Sequence, residues 1–344
     1  MKIFITNKLI DGPTGGGNQF LKALKSQFAK KGLYTEDPLQ ADVVLFNSHQ
    51  NLELVHQIKE VNQKAKFVHR LDGPMRLYNN MNDQRDYIAY QMNTDYADAV
   101  VFQSEWSRQA NIKLGLDISG KKDTVIHNAP DPGIFYPSSK KQKNDKIRLI
   151  ASSWSDNIRK GFFTYKYLDE ALDFDKYEFF FMGRSPVGFE NIVSLGALSS
   201  HEVANELRKS DIFITASEND PCSNSLIEAL SCGLPALALN SGGHPELVKS
   251  AGLLYNKKEE IVNKLEYICD NHFIKKYARL NKKTEPSSEA KKKDRIMSLD
   301  TFIKCISTIP SSMDMHFTGY VEPFENPACA DMMLHANSKG HTIA

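Results

Sequence analysis

Residues 217–246 read SENDPCSNSLIEALSCGLPALALNSGGHPE, and this stretch decides how the rest of the chain is understood. The segment before it, DIFIT at 211–215, carries the signal of a buried strand. Asp220 and Pro221 mark a turn. Small polar residues Ser223, Asn224 and Ser225 then open a helix through Leu226, Ile227 and Leu230, which Gly233 and Pro235 stop. Residues 236–239, ALAL, read as the next strand, and Gly242-Gly243 turns the chain into another helix near Pro245. The unit is βαβ, with polar groups gathered where strand gives way to helix, the edge at which open α/β sheets bind ligands. A helix start made of small residues exposes free N–H groups and a partial positive charge, which suits a phosphate. Asp220 lies on the loop before the helix and Glu228 about two turns along it, so both can face a ligand whose phosphates rest on the helix start. Taken singly, Asp220 reads more readily as a helix cap and Glu228 as a solvated helix residue.

The wider pattern resembles the donor-binding signature of the retaining glycosyltransferases of family 4 (glycosyl transferases group 1), which have the GT-B fold. That signature runs acid-x7-Glu, Glu-Ala, Cys-Gly-x-Pro, then Gly-Gly-x-Pro-Glu. Here it is met by Asp220, Glu228-Ala229, Cys232-Gly233-Leu234-Pro235 and Gly242-Gly243-His244-Pro245-Glu246. Two positions depart from it. The first acid, usually Glu, is Asp220 unless Glu218 serves instead, and a glycine usual near the helix start is Ser223. The resemblance implies an α/β fold of two Rossmann-like domains facing each other across a cleft.

The totals agree with this class. A chain of 344 residues is long enough for two domains with sizeable cores. Its 43 Lys and Arg against 42 Asp and Glu argue against a general nucleic-acid binder. No apolar run is long enough to span a membrane, and the opening MKIFITNKLIDGP reads as a strand rather than a signal peptide. The five cysteines, at 222, 232, 269, 305 and 329, form no CxxC pair, so neither a disulfide framework nor a zinc site is expected. A cytoplasmic protein with reduced thiols is the plain expectation.

The first domain is expected over residues 1–137. Strand, glycine loop and helix follow in turn at residues 2–6, at Gly12 with Gly15, Gly16 and Gly17, and at residues 19–31. Glycines allow close approach to a backbone, and the resemblance places the donor phosphate and the acceptor near Gly16 and Gly17. Further strands are expected at 42–46, 66–69, 97–102 and 125–128. The strand at 66–69 ends in His69, followed by Arg70 and Asp72, at a strand end that faces a ligand in such sheets. A lone histidine there is as often a hydrogen-bonded structural residue, but the resemblance makes His69 a cleft residue that orients acceptor or sugar. Asp72 and Arg70 become acceptor-side contacts. Asn128, Asp131, Phe135 and Pro137 resemble the segment that closes the first domain. Lys22, Lys25, Lys30 and Lys31 lie on or near one helix face, read as solvated or, as in some relatives, as a peripheral contact with the inner face of a membrane.

Residues 138–146, SSKKQKNDK, are the expected linker, and residues 147–310 the second domain. After the strand near 148–151, the family places Gly-Arg and then Lys-Gly, two cations for the donor diphosphate. Lys160-Gly161 fits, but Ser153 or Trp154 stands where the arginine should be, with Arg159 as the nearest substitute. The loop at Gly196, Ala197 and Leu198 is the expected base site. Residues 311–344 form a tail whose Phe317 to Phe324 portion is aromatic-rich.

The implied reaction is retaining transfer of a sugar from a UDP- or GDP-linked donor to a glycan, lipid-linked or small-molecule acceptor. Glu228 would take the ribose and Asp220 the donor sugar. Lys160, with Arg159 and the N–H groups of Asn224 and Ser225 beyond Ser223, would take the diphosphate. No cofactor and no metal are expected, because no carboxylate pair on a strand end is spaced for Mg²⁺. A sugar phosphorylase or epimerase on the same fold, and a non-catalytic sugar-nucleotide-binding module, remain open alternatives.

Overall fold

The computed structural model describes residues 1–10, 16–138 and 145–270, together with Lys339. The end of the second domain's expected span, the tail at 311–344 except Lys339, most of the linker and the glycines at 12 and 15 lie outside the described residues.

The first lobe runs β1 (Ile3–Ile5), α1 (Gly16–Lys30), β2 (Val43–Asn47), α2 (Leu52–Val61), β3 (Lys66–Leu71), α3 (Met75–Tyr78), α4 (Arg85–Tyr96), β4 (Ala99–Phe102), α5 (Glu105–Lys113) and β5 (Lys122–Val125). Its five strands are parallel and stand in sequence order. Ile3 also bridges Tyr34 in parallel on the outer side of β1. The first connection therefore runs outward and the later ones the other way, so the order reverses at β1. The last strand lies three residues earlier than the sequence suggests: Ile126 to Asn128 leave the sheet, and Asn128 turns into the cleft.

The second lobe runs β6 (Ile147–Ser153), α6 (Phe162–Ala171), β7 (Tyr177–Gly183), β8 (Val193–Gly196), α7 (Ser200–Lys209), β9 (Ile212–Thr215), α8 (Asn224–Ser231), β10 (Ala236–Leu239), α9 (His244–Val248), β11 (Gly252–Tyr255) and α10 (Ile261–Asp270). Its strand order is β11-β10-β9-β6-β7-β8, all parallel. Helices cover both faces, so the residues of the central strands such as β9 are buried on both sides. Leu149, Ala151, Ile212 and Ile214 point into one core with Phe162, Tyr165 and Leu265. Their alternates Ile150 and Phe213 point into the other with Leu207, Leu226 and Ala229. Phe135 packs into this second core too, so the second lobe takes hold of the chain before the linker begins.

The order of the second sheet reverses between β6 and β9. Ligands bind beyond the strand ends at such a reversal. The loops leaving β6 and β9 carry Lys160 and Asp220, and both sheets lie within one compact unit.

Candidate active site

Two adjoining cavities open where the lobes face each other. The larger, about 310 Å³, is lined from the first lobe by Gly17, Arg70, Asp72 and Tyr78, and from the second by Trp154, Lys160, Asp220 and the start of α8. The smaller, about 180 Å³, lies between α1 and α8 and is lined by Phe20, Lys22, Ser200, Ile227 and Glu228. Asn224, the first residue of α8, borders both.

Local sequence explains how Lys160 is aimed. Asn157 accepts the N–H of Arg159 at 2.9 Å and starts a single 3-10 turn. Gly161 ends it at φ 80°, in the left-handed region, where an added Cβ would come within 2.3 Å of the Ala216 carbonyl oxygen. Only glycine lets this loop lie against the end of β9. The Lys160 ammonium then donates to Asp220 Oδ2 at 3.0 Å, above the Tyr78 ring at 5.5 Å. Burial works against both charges. Each is held by the other, so the Lys160 pKa is raised and the Asp220 pKa lowered.

Asp220 is fixed from below as well. Its Oδ1 accepts the Cys222 N–H at 3.2 Å, and its carbonyl accepts that of Gly243 at 2.9 Å. A Cβ on Gly242 would meet the Asp220 carbonyl oxygen at 2.2 Å, which explains the glycine pair beneath this loop. Glu218 is turned to Arg159 at 2.8 Å and lines neither cavity, so Asp220 is the acid that faces the cleft. Beyond it, Ser223 caps α8 in position without a side-chain cap bond, its hydroxyl 3.2 Å from that of Ser225. Burial pushes the Glu228 carboxyl up to about 8.

On the opposite wall, Arg70 is almost completely buried. It donates to Asn47 Oδ1 at 2.6 Å, Asp72 Oδ1 at 3.0 Å and Asn128 Oδ1 at 2.6 Å, with Phe20 stacked 4.3 Å away. Asp72 also accepts from Asn47 and Gln103. Asn128 in turn donates to Asn224 Oδ1 at 2.8 Å, so a polar chain crosses from the first lobe to the start of α8.

Several expected residues stand elsewhere. His69 is not a cleft residue. Side chains alternate along β3, so Arg70 and Asp72 reach the cleft while His69 points to the opposite face. There its Nε2–H donates to the Ser48 carbonyl at 2.9 Å, its Nδ1 accepts from Asn93 at 3.1 Å, and its ring stacks on Phe46. Burial lowers its pKa to about 4, which keeps it neutral. Arg159 lines neither cavity and pairs with Glu218, so it does not replace the missing arginine here. Gly196 and Ala197 are exposed and border neither cavity, and Leu198 packs on the second core. Gly16 opens α1, and Gly17 lines the larger cavity. The four lysines do not share one free face: Lys22 borders the smaller cavity, Lys25 pairs with Glu36 at 2.7 Å, and Lys30 and Lys31 are exposed.

Sequence reading missed a clasp between the lobes. Glu246 accepts the backbone N–H groups of Glu105 and Trp106, both at 2.8 Å, at the start of α5, and His127 lies 3.3 Å from the same carboxylate. On another side of the cleft, Asn157 donates to Asn79 at 3.0 Å and Asn219 to the Leu77 carbonyl at 3.1 Å. The motif ending in Glu246 was the available signal; its target on α5 was not. Among the described residues no group of three or more His, Cys, Asp and Glu side chains is placed to hold a metal, and no helix is long and apolar enough to cross a membrane.

Two lobes with parallel Rossmann-like sheets and a polar cleft between them have the GT-B fold. Residues 189–286 match the family described as "Glycosyl transferases group 1", which supports glycosyl transfer as the activity. No curated protein matches the chain by sequence. The fold is similar to Anabaena HepE, solved in complex with UDP-glucose, at TM-score 0.61 and 14% identity over 82% of this chain and 94% of that one. It is similar also to sucrose-phosphate synthase from Thermosynechococcus elongatus, at 0.56 and 16% over 77% and 73%. A glycosyltransferase from Rickettsia africae gives 0.53 and 16% over 80% and 78%.

Proposed function

We propose that the chain moves a sugar, with retention of configuration, from a nucleotide-diphosphate sugar to a carbohydrate, lipid-linked or small-molecule acceptor. The observation that carries this reading is Asn224: the residue that opens α8 borders both the cavity holding Lys160 and Asp220 and the cavity holding Glu228. One extended ligand can therefore rest its diphosphate on the helix start and its ribose on Glu228. HepE, on the same fold, is described with UDP-glucose bound, which supports a nucleotide sugar as the donor.

In this reading Lys160 and the free N–H groups at the start of α8 stabilise the charge that grows on the leaving diphosphate, the main catalytic demand. Asp220 orients the donor sugar. Asp72, held by Arg70, Asn47 and Gln103, stands on the acceptor side. The leaving group is handled by fixed donors of the chain itself, so the proposal includes no metal and no cofactor. The clasps between the lobes hold the cleft walls together and limit the entry of water.

The test is release of sugar from a panel of UDP- and GDP-sugars by the full chain and by Glu228→Ala and Lys160→Ala. The reading predicts turnover of at least one donor, with both variants reduced by roughly a hundredfold or more. Binding without turnover of any donor would favour a non-catalytic module, and dependence on inorganic phosphate would favour a phosphorylase.

A further inference from the structure

We propose that Arg70, from the first lobe, supplies the second positive charge to the donor's diphosphate. This rests on reading the cleft as a nucleotide-diphosphate site, and it moves Arg70 from the acceptor to the donor.

The loop leaving β6 presents Ser153 and Trp154 to the cleft where a second cation would be expected, and Arg159 is engaged by Glu218 outside it. Among the described residues, the cations that line the larger cavity are Lys160 and Arg70. Each is balanced by an acid of its own lobe, Asp220 and Asp72. A diphosphate adds negative charge to a site already neutral, and Lys160 alone would have to serve both it and Asp220. Arg70 stands across the cavity from Lys160 and is tied by Asn128 to Asn224 at the start of α8, where the phosphates would lie.

A purely structural ion pair is a poor account of this arginine. A buried pair contributes little net stability over apolar packing. A planar guanidinium, fixed by stacking on Phe20, suits two phosphate oxygens at once. The two cations would then grip the leaving group from opposite lobes, so both would reach it only when the lobes face each other as they do here.

Binding of UDP, GDP, ADP and dTDP, and of their monophosphates, measured by calorimetry on the full chain tests this. Wild type should prefer a diphosphate to its monophosphate. Arg70→Lys should weaken the diphosphate about tenfold and the monophosphate much less, both measured on protein whose melt shows it folded. Unchanged diphosphate affinity in a folded Arg70→Lys protein would overturn the proposal. Where that variant does not fold, Asp72→Asn decides, because it releases Arg70 from its acid. A gain for diphosphate greater than for monophosphate supports the proposal, and equal gains or none overturn it. If wild type binds no diphosphate at all, the donor reading itself fails and this inference with it. A wild type that binds while Arg70 proves indifferent sinks the inference alone.

Discussion

Lys160 and Asp220 are 60 residues apart in sequence and meet at 3.0 Å where the second sheet reverses its strand order. The Lys160→Ala variant leaves a buried carboxylate unpaired, a loss of about 3 kcal/mol. Its melting temperature should fall by several degrees, together with its turnover. The sign with pH follows from Asp220. Its pKa is lowered in the fold, so the pair stabilises above the ordinary carboxylate range and is lost as pH falls through the lowered value. Wild type and Lys160→Ala should therefore converge in stability in acid, as thermal melts across pH will show.

Glu228 has the opposite sign. Burial raises its pKa to about 8, so the fold favours the protonated form, and stability is lost as pH rises from the ordinary carboxylate value through 8. Glu228→Gln removes that titration. Its melting temperature relative to wild type should rise between pH 6 and pH 9, and a flat difference would show that the carboxyl titrates normally.

Glu246 holds the start of α5 from the other lobe. Replacing it with alanine removes a cap worth about 1 kcal/mol and a tie between lobes. Small-angle scattering of Glu246→Ala should give a larger radius of gyration than wild type. Sugar transfer should weaken although no catalytic group has changed.

His69 is buried away from both cavities, on the far face of β3. Removing its ring in His69→Ala should destabilise the first lobe by about 3 kcal/mol. The kcat of the folded fraction should stay within about twofold of wild type, and a loss of a hundredfold with normal stability would return His69 to the chemistry.

Much of this architecture was legible because strand and helix periods are local. The apolar run at 212–215, the small residues before Leu226 and the glycine at 233 mark β9, α8 and its end by themselves. Asp220 and Glu228 came from one motif and Lys160 from a second, the Lys-Gly pair after β6, with their roles implied by the family resemblance. His69 was misplaced because sequence shows that a strand end faces a cleft but not which of two alternating faces does so. Arg159 was misjudged for a related reason: Glu218, beside the cleft in sequence, captures it in space. The clasp at Glu246 joins residues about 140 apart, and no local pattern reports such a contact.

The most direct test of the donor site is a crystal structure of the chain with UDP or GDP bound. The account predicts a phosphate within hydrogen-bonding distance of Lys160 Nζ and of the α8 start, with the ribose hydroxyls on Glu228. A nucleotide bound elsewhere, or one reaching Lys160 with its ribose turned away from Glu228, would contradict it.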